Sequence, residues 1–366
     1  MKVILFANTD WYLYNYRLPL AVALKNRGDE VVLLSPPGRY SQLLEKEGFR
    51  WVSFPLERKS LNPFVETLSI FRLVFFFRLE KPELVHLFTV KPVLYGSIAA
   101  KITGVPNTVN AITGLGYIFS EAGSLLRRLV LWLYRFSLSK TKVIFQNTDD
   151  LKVFLENRII TAGQAYLIPG SGVDINIFIP TPEPDGKPIV MLAGRLLRSK
   201  GLPEFVEAAR RIQANGMTAR FVIVGEPYPD NPDSIRPEEL SAWEKEGIIE
   251  NWGWHDDMAQ VISKTSLVCL PTTYKEGLPR LLLEAGACGR AVIATDIPGC
   301  RMVVRDGENG LIIPAHDISA LVEALETLIT NPEKRLWMGR RGREIVEQEF
   351  SVNQVISRTF DVYNAS

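Results

Sequence analysis

The sequence predicts an α/β protein built from two Rossmann-like domains, each a doubly wound parallel sheet. The 366 residues are enough for about two domains. Short apolar runs alternate with helical patterns in both halves, which is typical of parallel strands joined by crossover helices. The alternation stops once, in the proline- and glycine-rich residues 168–188. Since 46% of the residues are hydrophobic and 23% are charged, the chain has an ordinary globular composition.

The first half begins with a β-α-β pattern. An apolar run at 2–7 is followed by a helical pattern at 18–25 and, after Gly28, by a second strand at 30–34. Three more strands are predicted at 84–88, 107–112 and 142–146. We therefore assign residues 1–168 to one N-terminal domain.

The second half repeats the pattern after a linker at 169–188. Its predicted strands are 189–193, 220–224, 266–270 and 291–294, and its predicted helices are 202–215, 279–288, 318–330 and 333–349. These elements define a C-terminal domain at 189–350, with a tail at 351–366 expected to cross back to the first domain. Doubly wound sheets bind ligands at the carboxyl ends of their strands, so a nucleotide-sized ligand is expected in a cleft that both sheets face.

Charge is divided unevenly along the chain. Residues 1–168 contain 21 Lys and Arg against 13 Asp and Glu, a net charge of +8, whereas the remainder contains 21 against 28, a net charge of −7. A basic first half favours contact with phosphates or anionic lipid, although chance variation of the surface is an alternative. Cys269, Cys288 and Cys300 lack paired spacing, which favours a reducing cytoplasm over a disulfide framework or a zinc site.

The segment EGLPRLLLE is the first candidate binding motif. Glu276 and Gly277 follow a predicted strand, Pro279 suits the first position of a helix, and Glu284 lies about a turn and a half further on. Backbone N–H groups at Gly277 and Leu278 can approach an anion or a sugar oxygen, and carboxylates accept hydrogen bonds from sugar hydroxyls. The alternative is a helix start whose glutamates merely favour the helix dipole.

The segment GRLLRSKG is the second candidate. Arg195 and Lys200 lie in a strand-to-helix loop between Gly194 and Gly201. A guanidinium and an ammonium suit a diphosphate whose charge grows as it leaves. A solvated basic turn is the alternative.

With LPTTYKEGLPRLLLEAGACGRAVIATDIPGC and DGENGLIIP, these motifs make the chain resemble the family 4 retaining glycosyltransferases of the GT-B fold over almost its whole length. The resemblance implies that Arg195 and Lys200 hold the donor diphosphate, that Glu276 contacts the donor sugar, and that Glu284 binds the ribose. The remaining donor-binding residues that it implies are Gly194, Gly253, Trp254, Gly277, Leu278 and Pro279, with Gly253 and Trp254 near the base.

Residues 225–247 and the text AITGLGYIF resemble one branch of that family, which adds a sugar to lipid-diphosphate-linked saccharides in bacterial glycan assembly. The resemblance implies a nucleotide-sugar donor, with UDP and a hexose or N-acetylhexosamine expected, a saccharide linked to undecaprenyl diphosphate as the acceptor, and no nucleic-acid partner. The usual glycine pair after the first strand and the usual acceptor-side histidine are both missing. Acceptor-side residues are therefore expected among Asn15, Arg17, Asn110, Thr113, Gly114 and Gly116, whereas His86 is expected to be a core histidine.

The resemblance also implies a mechanism. Donor and acceptor meet on the same face of the sugar, the departing diphosphate oxygen takes the acceptor proton, and no protein nucleophile is required. The sequence contains no Asp-x-Asp, so we expect neither a metal ion nor another cofactor, with the basic pair serving in place of a metal.

Two stretches of the basic half, 64–79 and 125–142, suggest contact with the inner face of the cytoplasmic membrane. In the second, Leu125, Leu129, Leu133 and Phe136 form one helical stripe, and Trp132 and Tyr134 are expected at headgroup depth. The alternative is a crossover helix that packs this stripe on the sheet.

Two other functions compete with glycosyl transfer. A nucleotide-sugar 2-epimerase of the same architecture would need acid and base side chains, and the three histidines form no suggestive cluster. A non-catalytic nucleotide-sugar-binding protein would not need to stabilise a leaving group. A dehydrogenase is disfavoured because no Gly-x-Gly-x-x-Gly follows the first strand.

Overall fold

The computed structural model describes residues 1–57, 60, 62–114, 124–229, 231–274 and 277–365, with the backbone alone for 124–127 and 129. The chain forms two compact units. The first contains Met1–Ser171 and Val355–Ser366, and the second contains Gly172–Gln354. Most of the stretch predicted as a linker thus packs in the second unit, where Val173 and Phe178 are buried in the core. The tail lies in the first unit from Val355 onwards.

The first unit is built on a seven-stranded parallel sheet of order β3-β2-β1-β4-β5-β6-β7. Strand β1 lies between β2 and β4, so the strand order reverses on either side of it. The strands are β1 (Lys2–Phe6), β2 (Glu30–Ser35), β3 (Arg50–Ser53), β4 (Leu84–Phe88), β5 (Asn107–Ile112), β6 (Lys142–Phe145) and β7 (Ala165–Leu167).

Helices cover both faces of this sheet because alternate strand residues point to opposite sides. Ile4 and Phe6 face one core, to which Pro63–Glu80, Ser97–Thr103, Ser124–Leu138 and Thr148–Glu156 contribute. Val3 and Leu5 face the other, to which Leu18–Asn26, Ser41–Lys46 and the terminal helix Val352–Asn364 contribute. Shorter helical segments are Asp10–Tyr12, Leu13–Arg17, Pro92–Gly96 and Ala162–Gln164.

The second unit has a six-stranded parallel sheet of order β10-β9-β8-β11-β12-β13. The strands are β8 (Ile189–Ala193), β9 (Arg220–Val224), β10 (Glu250–Gly253), β11 (Leu267–Leu270), β12 (Ala291–Thr295) and β13 (Gly310–Ile313). Separate apolar cores lie on its two faces. The helices are Leu202–Ala214, Pro237–Lys245, Met258–Ser263, Arg280–Ala287, Pro298–Arg301, Ile318–Thr330 and Pro332–Ile345, with short segments at Arg198–Lys200 and Val346–Phe350.

The two parallel sheets confirm the predicted α/β class with two doubly wound domains. Strands β3, β7, β10 and β13 were not predicted.

The helix Ser124–Leu138 differs from its predicted interfacial role in one respect. Tyr134 is buried in the core of the first unit, so it does not lie at headgroup depth as predicted. Trp132 and Phe136 are exposed, and Leu133 packs partly against the core. The side chains of Leu125 and Leu129 lie outside the described residues. Within the described part of the chain, no helix combines the length and the apolar character needed to cross a membrane.

Candidate functional site

The candidate site lies at the carboxyl edge of the second sheet. Strands β8 and β11 are neighbours there, and the strand order changes direction between them. In doubly wound sheets, loops that leave neighbouring strands in opposite directions open a crevice at such a point. Residues 194–201 follow β8 and residues 271–279 follow β11, so both predicted motifs belong to this edge.

The two predicted cations converge on one aromatic ring. The guanidinium carbon of Arg195 and Nζ of Lys200 each lie 5.8 Å from the centroid of the Tyr274 ring. Arg195 is exposed, whereas Lys200 is largely buried. The β8 loop thus supplies two positive charges, and the β11 loop supplies the ring beside which both lie. Sequence patterns had not indicated Tyr274.

The backbone of Ser199 joins the two loops. Its carbonyl oxygen accepts hydrogen bonds from the N–H groups of Thr273, at 2.8 Å, and Tyr274, at 3.0 Å, and from the hydroxyl of Thr272, at 3.0 Å. Thr272 is fully buried and its own carbonyl accepts from Thr295, at the end of β12. These bonds fix the position of Lys200, the next residue, relative to the β11 loop.

Asp233 holds the same loop from a third direction. Its carboxylate accepts a hydrogen bond from the N–H of Ser199, at 3.1 Å, and another from the Ser199 hydroxyl. Its carbonyl accepts from the N–H of Arg198, at 2.8 Å, and the Arg198 side chain pairs with Glu239. The segment after β9 therefore braces the loop that carries both cations.

Two glycines allow the loops to approach closely. Gly201 has a φ of +81°, and a Cβ there would lie 2.2 Å from the carbonyl oxygen of Pro271. Gly225, with a φ of +137°, approaches Gly194 so closely that a Cβ would lie 2.0 Å from the Gly194 carbonyl oxygen. Only glycine can adopt these positive φ values and leave room for the neighbouring carbonyl oxygens without strain.

Glu284 lies on the helix that follows the β11 loop. The helix begins at Arg280, and Pro279 is its N-cap rather than its first residue, one position from the prediction. Glu284 is buried and its carboxylate pairs with Arg280, with Nε and Oε1 2.7 Å apart. Burial raises the pKa of Glu284, although the Arg280 guanidinium opposes the shift. Gly277 is buried and Leu278 half-buried in the preceding turn.

Gly253 and Trp254 lie on the same edge of the sheet, at the end of β10. The N–H of Gly225 donates to the Gly253 carbonyl at 2.8 Å, and the N–H of Gly194 donates to Val224 at 2.9 Å. The carboxyl ends of β10, β9 and β8 therefore form one continuous row. Trp254 is exposed, and its indole N–H donates to Asp256 at 3.2 Å. Its flat face is a suitable surface for stacking a base.

Most of the predicted donor residues are thus neighbours on one edge of a single sheet. Glu276, predicted to contact the sugar, and Gly116, predicted on the acceptor side, lie outside the described residues. Among all the residues that the structure describes, no group of three or more His, Cys, Asp and Glu side chains is placed to hold a metal ion.

The predicted acceptor-side residues in the first unit have different surroundings. The side-chain amide of Asn15 donates to the Trp11 carbonyl at 2.9 Å. Asn110 is fully buried, accepting from Ser97 at 2.8 Å and donating to Thr141 at 3.0 Å, so its amide braces the domain interior. Thr113 and Gly114 follow β5 and are half-buried.

Arg17 is almost fully buried in the first unit. Its guanidinium lies over the Phe88 ring at 4.4 Å and donates to the Tyr12 hydroxyl at 2.8 Å. Arg17 Nε, His86 Nε2 and Thr89 Oγ1 are buried without a hydrogen-bond partner within the described residues. Thr89 also has a φ of +70°, an uncommon conformation for a β-branched residue. Sequence patterns did not single out Thr89.

Two family models match the chain in succession. Residues 174–345 match the family described as glycosyl transferases group 1, and residues 2–148 match the family described as glycosyl transferase 4-like. Together the two matches cover most of the chain, which is a glycosyltransferase. The matched ranges include the β8 and β11 loops and most of the first sheet.

Bacterial glycosyltransferases are similar to most of this chain. An N,N'-diacetylbacillosaminyl-diphospho-undecaprenol alpha-1,3-N-acetylgalactosaminyltransferase of Campylobacter jejuni is 27% identical over 381 residues, covering 100% of this chain and 98% of the relative. A UDP-Gal:alpha-D-GlcNAc-diphosphoundecaprenol alpha-1,3-galactosyltransferase of Escherichia coli is 25% identical, covering 81% of this chain and 78% of the relative.

Solved structures show the same fold. Anabaena HepE in complex with UDP aligns with a TM-score of 0.81 at 18% identity, covering 99% of each chain. Sucrose-phosphate synthase of Thermosynechococcus elongatus aligns with a TM-score of 0.80 at 20% identity, covering 99% of this chain and 98% of the other. These matches confirm the GT-B fold and favour neither the epimerase nor the non-catalytic binding protein.

Proposed function

We propose that this glycosyltransferase transfers a hexose or N-acetylhexosamine, with retention of configuration, from a UDP-sugar to a lipid-diphosphate-linked saccharide. The observation that carries the proposal is the convergence of Arg195 and Lys200 on Tyr274, on the sheet edge that also carries Gly253, Trp254 and Glu284. The names of the Campylobacter and Escherichia relatives support the acceptor class, and the UDP complex of the Anabaena protein supports the donor.

The chemical role of the cations follows from where charge develops. As the bond between the anomeric carbon and the diphosphate oxygen breaks, negative charge accumulates on the departing phosphate. Arg195 and Lys200 interact more strongly with that charge than with the intact donor, which lowers the barrier. The acceptor oxygen bonds to the anomeric carbon on the face that the diphosphate leaves, and the departing oxygen takes the acceptor proton. Glu276 contacts the sugar and Glu284 the ribose.

We propose that the reaction needs no metal ion. The sequence lacks the Asp-x-Asp pair that would bind a divalent cation bridging the diphosphate. Two cations held by the β8 loop supply the same electrostatic stabilisation.

The proposed acceptor also sets the place of the reaction. A lipid-linked saccharide is anchored in a bilayer, so the enzyme would work in the cytoplasm at the inner face of the cell membrane, attached through its basic N-terminal domain. No nucleic acid takes part.

The test combines purified protein, a lipid-diphosphate disaccharide acceptor and a panel of UDP-hexoses and UDP-N-acetylhexosamines. We expect one donor to be consumed with release of UDP, at a rate that chelator does not lower. NMR of the product should show a new α-glycosidic bond. An inverted linkage would contradict retention, and activity abolished by chelator would contradict metal independence. Epimerised UDP-sugar without transfer would favour the epimerase instead.

A further inference from the structure

The helix Pro63–Glu80 has an apolar face that the first unit leaves uncovered. Five large side chains recur along it at intervals of three or four residues, so they share one side of the helix. Each is between 49% and 85% exposed: Phe64, Leu68, Phe71, Phe75 and Leu79. We call these five residues the outer stripe. It runs for about 22 Å along the helix axis.

The opposite side of the same helix holds it in the domain. Leu73, Val74 and Phe77 are buried in the core of the first unit. Asn62 caps the helix by accepting a hydrogen bond from the N–H of Phe64 at 3.0 Å. The helix is therefore fixed without help from the outer stripe, and a large apolar patch that the fold itself does not use marks an interaction surface.

Positive charge flanks the outer stripe on both sides. At about 100° per residue, Arg72 projects beside one edge of the stripe and Arg78 beside the other. Both arginines are exposed. The two carboxylates of the helix are engaged elsewhere, since Glu66 pairs with Lys91 at 2.8 Å, and Glu80 pairs with both Arg50 and Lys2.

Neighbouring helices extend this surface. Ser97–Thr103 and Ser124–Leu138 pack on the same face of the sheet as Pro63–Glu80, so their outer sides face the same way. Ile102, Trp132 and Phe136 are exposed on them, with the last two rings stacked at 6.0 Å. Neither helix contains Asp or Glu, whereas together they contain Lys101, Arg127, Arg128 and Arg135.

We propose that the outer stripe docks on the surface of an anionic lipid bilayer, with the helix lying in the headgroup region parallel to the membrane. Apolar side chains would reach the acyl boundary while Arg72 and Arg78 contact lipid phosphates. A second copy of this chain is a poorer occupant, because pairing the same surface twice brings like charges together. The reason for this enzyme to work at a membrane rests on the proposed lipid-linked acceptor, but docking on a bilayer can be tested without measuring sugar transfer.

The test is flotation of the full-length protein with vesicles of mixed phosphatidylglycerol and phosphatidylethanolamine. The wild type should bind these vesicles, bind phosphatidylcholine vesicles far less, and lose affinity as salt is raised. Phe71→Ser/Phe75→Ser should reduce binding about tenfold or more. Because both side chains are exposed, the variant should keep the wild-type circular dichroism and melting temperature.

The matched control is Leu336→Ser/Trp337→Ser, which removes two exposed apolar side chains from a helix of the second unit. It should bind vesicles like the wild type. If Phe71→Ser/Phe75→Ser folds poorly, Arg72→Ser/Arg78→Ser tests the same surface and should weaken binding to the anionic vesicles alone. Wild-type binding by both stripe variants would overturn the proposal. So would sedimentation showing that the wild type is a dimer and the stripe variant a monomer.

Turnover separates this inference from the proposed function. With a short-chain, water-soluble lipid-diphosphate saccharide and no vesicles, the stripe variant should transfer sugar at the wild-type rate. Stripe-dependent vesicle binding without any turnover would contradict the proposed function and leave the docking surface standing.

Discussion

Glu284, the proposed ribose-binding residue, opposes folding when its carboxylate is charged. Its carboxylate is buried, and the Arg280 guanidinium beside it does not fully compensate for lost hydration, so its pKa is raised. The folded chain therefore holds a proton on this group more readily than the unfolded chain does. It follows that stability falls as the pH rises through the range between the unfolded and folded pKa values.

Glu284→Gln tests this account. We expect the free energy of unfolding to increase at neutral pH, with the gain disappearing in acid where the glutamate is already protonated. UDP affinity should fall roughly tenfold or more, because a hydrogen bond to a charged acceptor is lost. Denaturant unfolding at neutral and acid pH, and calorimetric titration with UDP, provide the two measurements. Glu323→Gln, at an exposed glutamate, is the control; an unchanged UDP affinity for Glu284→Gln would remove that residue from the site.

Asp233 is expected to position the cations rather than to touch the donor. Asp233→Ala removes the acceptor for both Ser199 hydrogen bonds, so the loop that carries Arg195 and Lys200 should lose its fixed geometry. Misplaced catalytic groups lower the rate more than they weaken binding, and we expect kcat to fall about tenfold or more with a smaller change in KM. Asp233→Asn keeps an acceptor and should recover part of the loss. Equal kcat values for Asp233→Ala and the wild type would rule out a role for Asp233 in positioning the loop that carries Arg195 and Lys200.

At the scale of elements, the loop between β8 and the helix Leu202–Ala214 depends on Gly201. Its positive φ ends the short helical segment Arg198–Lys200, and the missing side chain leaves room for the Pro271 carbonyl. Because Pro271 begins the β11 loop, this close approach, together with the Ser199 hydrogen bonds, sets the distance between the two loops of the proposed donor site.

Gly201→Ala should therefore destabilise the second unit. Gly216→Ala is a matched control, since Gly216 has nearly the same φ, +78° against +81°, but nothing within 4 Å of an added Cβ. Both variants should incur the conformational cost of a positive φ. Gly201→Ala should lose about 1–3 kcal/mol more, because the new methyl group meets the backbone of Pro271. Equal free energies of unfolding for the two variants would contradict the close approach.

Sequence patterns predict the inner strands and miss the outer ones. Leu84–Phe88, Asn107–Ile112 and Arg220–Val224 begin and end where they were predicted, because buried parallel strands are rich in apolar residues. The unpredicted strands β3, β7, β10 and β13 are the edges of the two sheets. They are three or four residues long and three of them are only partly buried, which leaves no distinctive pattern.

The same limit applies to the site. Arg195 and Lys200 could be placed on this edge because they follow a predicted strand, and Glu284 because it lies on the predicted helix after the neighbouring strand. Asp233 is separated from Ser199 by 34 positions, and its contact depends on how the segment after β9 folds back. No residue spacing in the sequence predicts the contact between Asp233 and Ser199.

At the scale of the whole chain, the last helix completes the first unit. Val355, Val362 and Tyr363 are buried in its core, and the Tyr363 hydroxyl shares a hydrogen bond of 2.7 Å with His86 Nδ1. Burial, aided by the charge of Arg17, lowers the pKa of His86 well below its usual value. The histidine is therefore neutral when folded and can take up a proton on unfolding.

This contact predicts an acid sensitivity of the first unit. Because the unfolded state binds the extra proton, His86 causes stability to fall as the pH drops below the ordinary histidine pKa, by up to about 1.4 kcal/mol per pH unit. Hydrogen exchange of the β1 and β4 amides across this range measures the effect. His86→Gln should flatten the dependence, whereas His316→Gln, at an exposed histidine of the second unit, should not. An unchanged slope in His86→Gln would contradict a neutral buried ring.

The central claim is that Arg195 and Lys200 stabilise the departing diphosphate. The most direct measurement is kcat at saturating UDP-sugar and acceptor for Arg195→Ala and Lys200→Ala. Arg198→Ala is the control, because Asp233 holds this residue through its backbone N–H and its exposed side chain makes only a surface ion pair with Glu239. We predict a loss of about 100- to 1000-fold for each of the first two and little change for the third. Near wild-type kcat in both Arg195→Ala and Lys200→Ala would contradict the account.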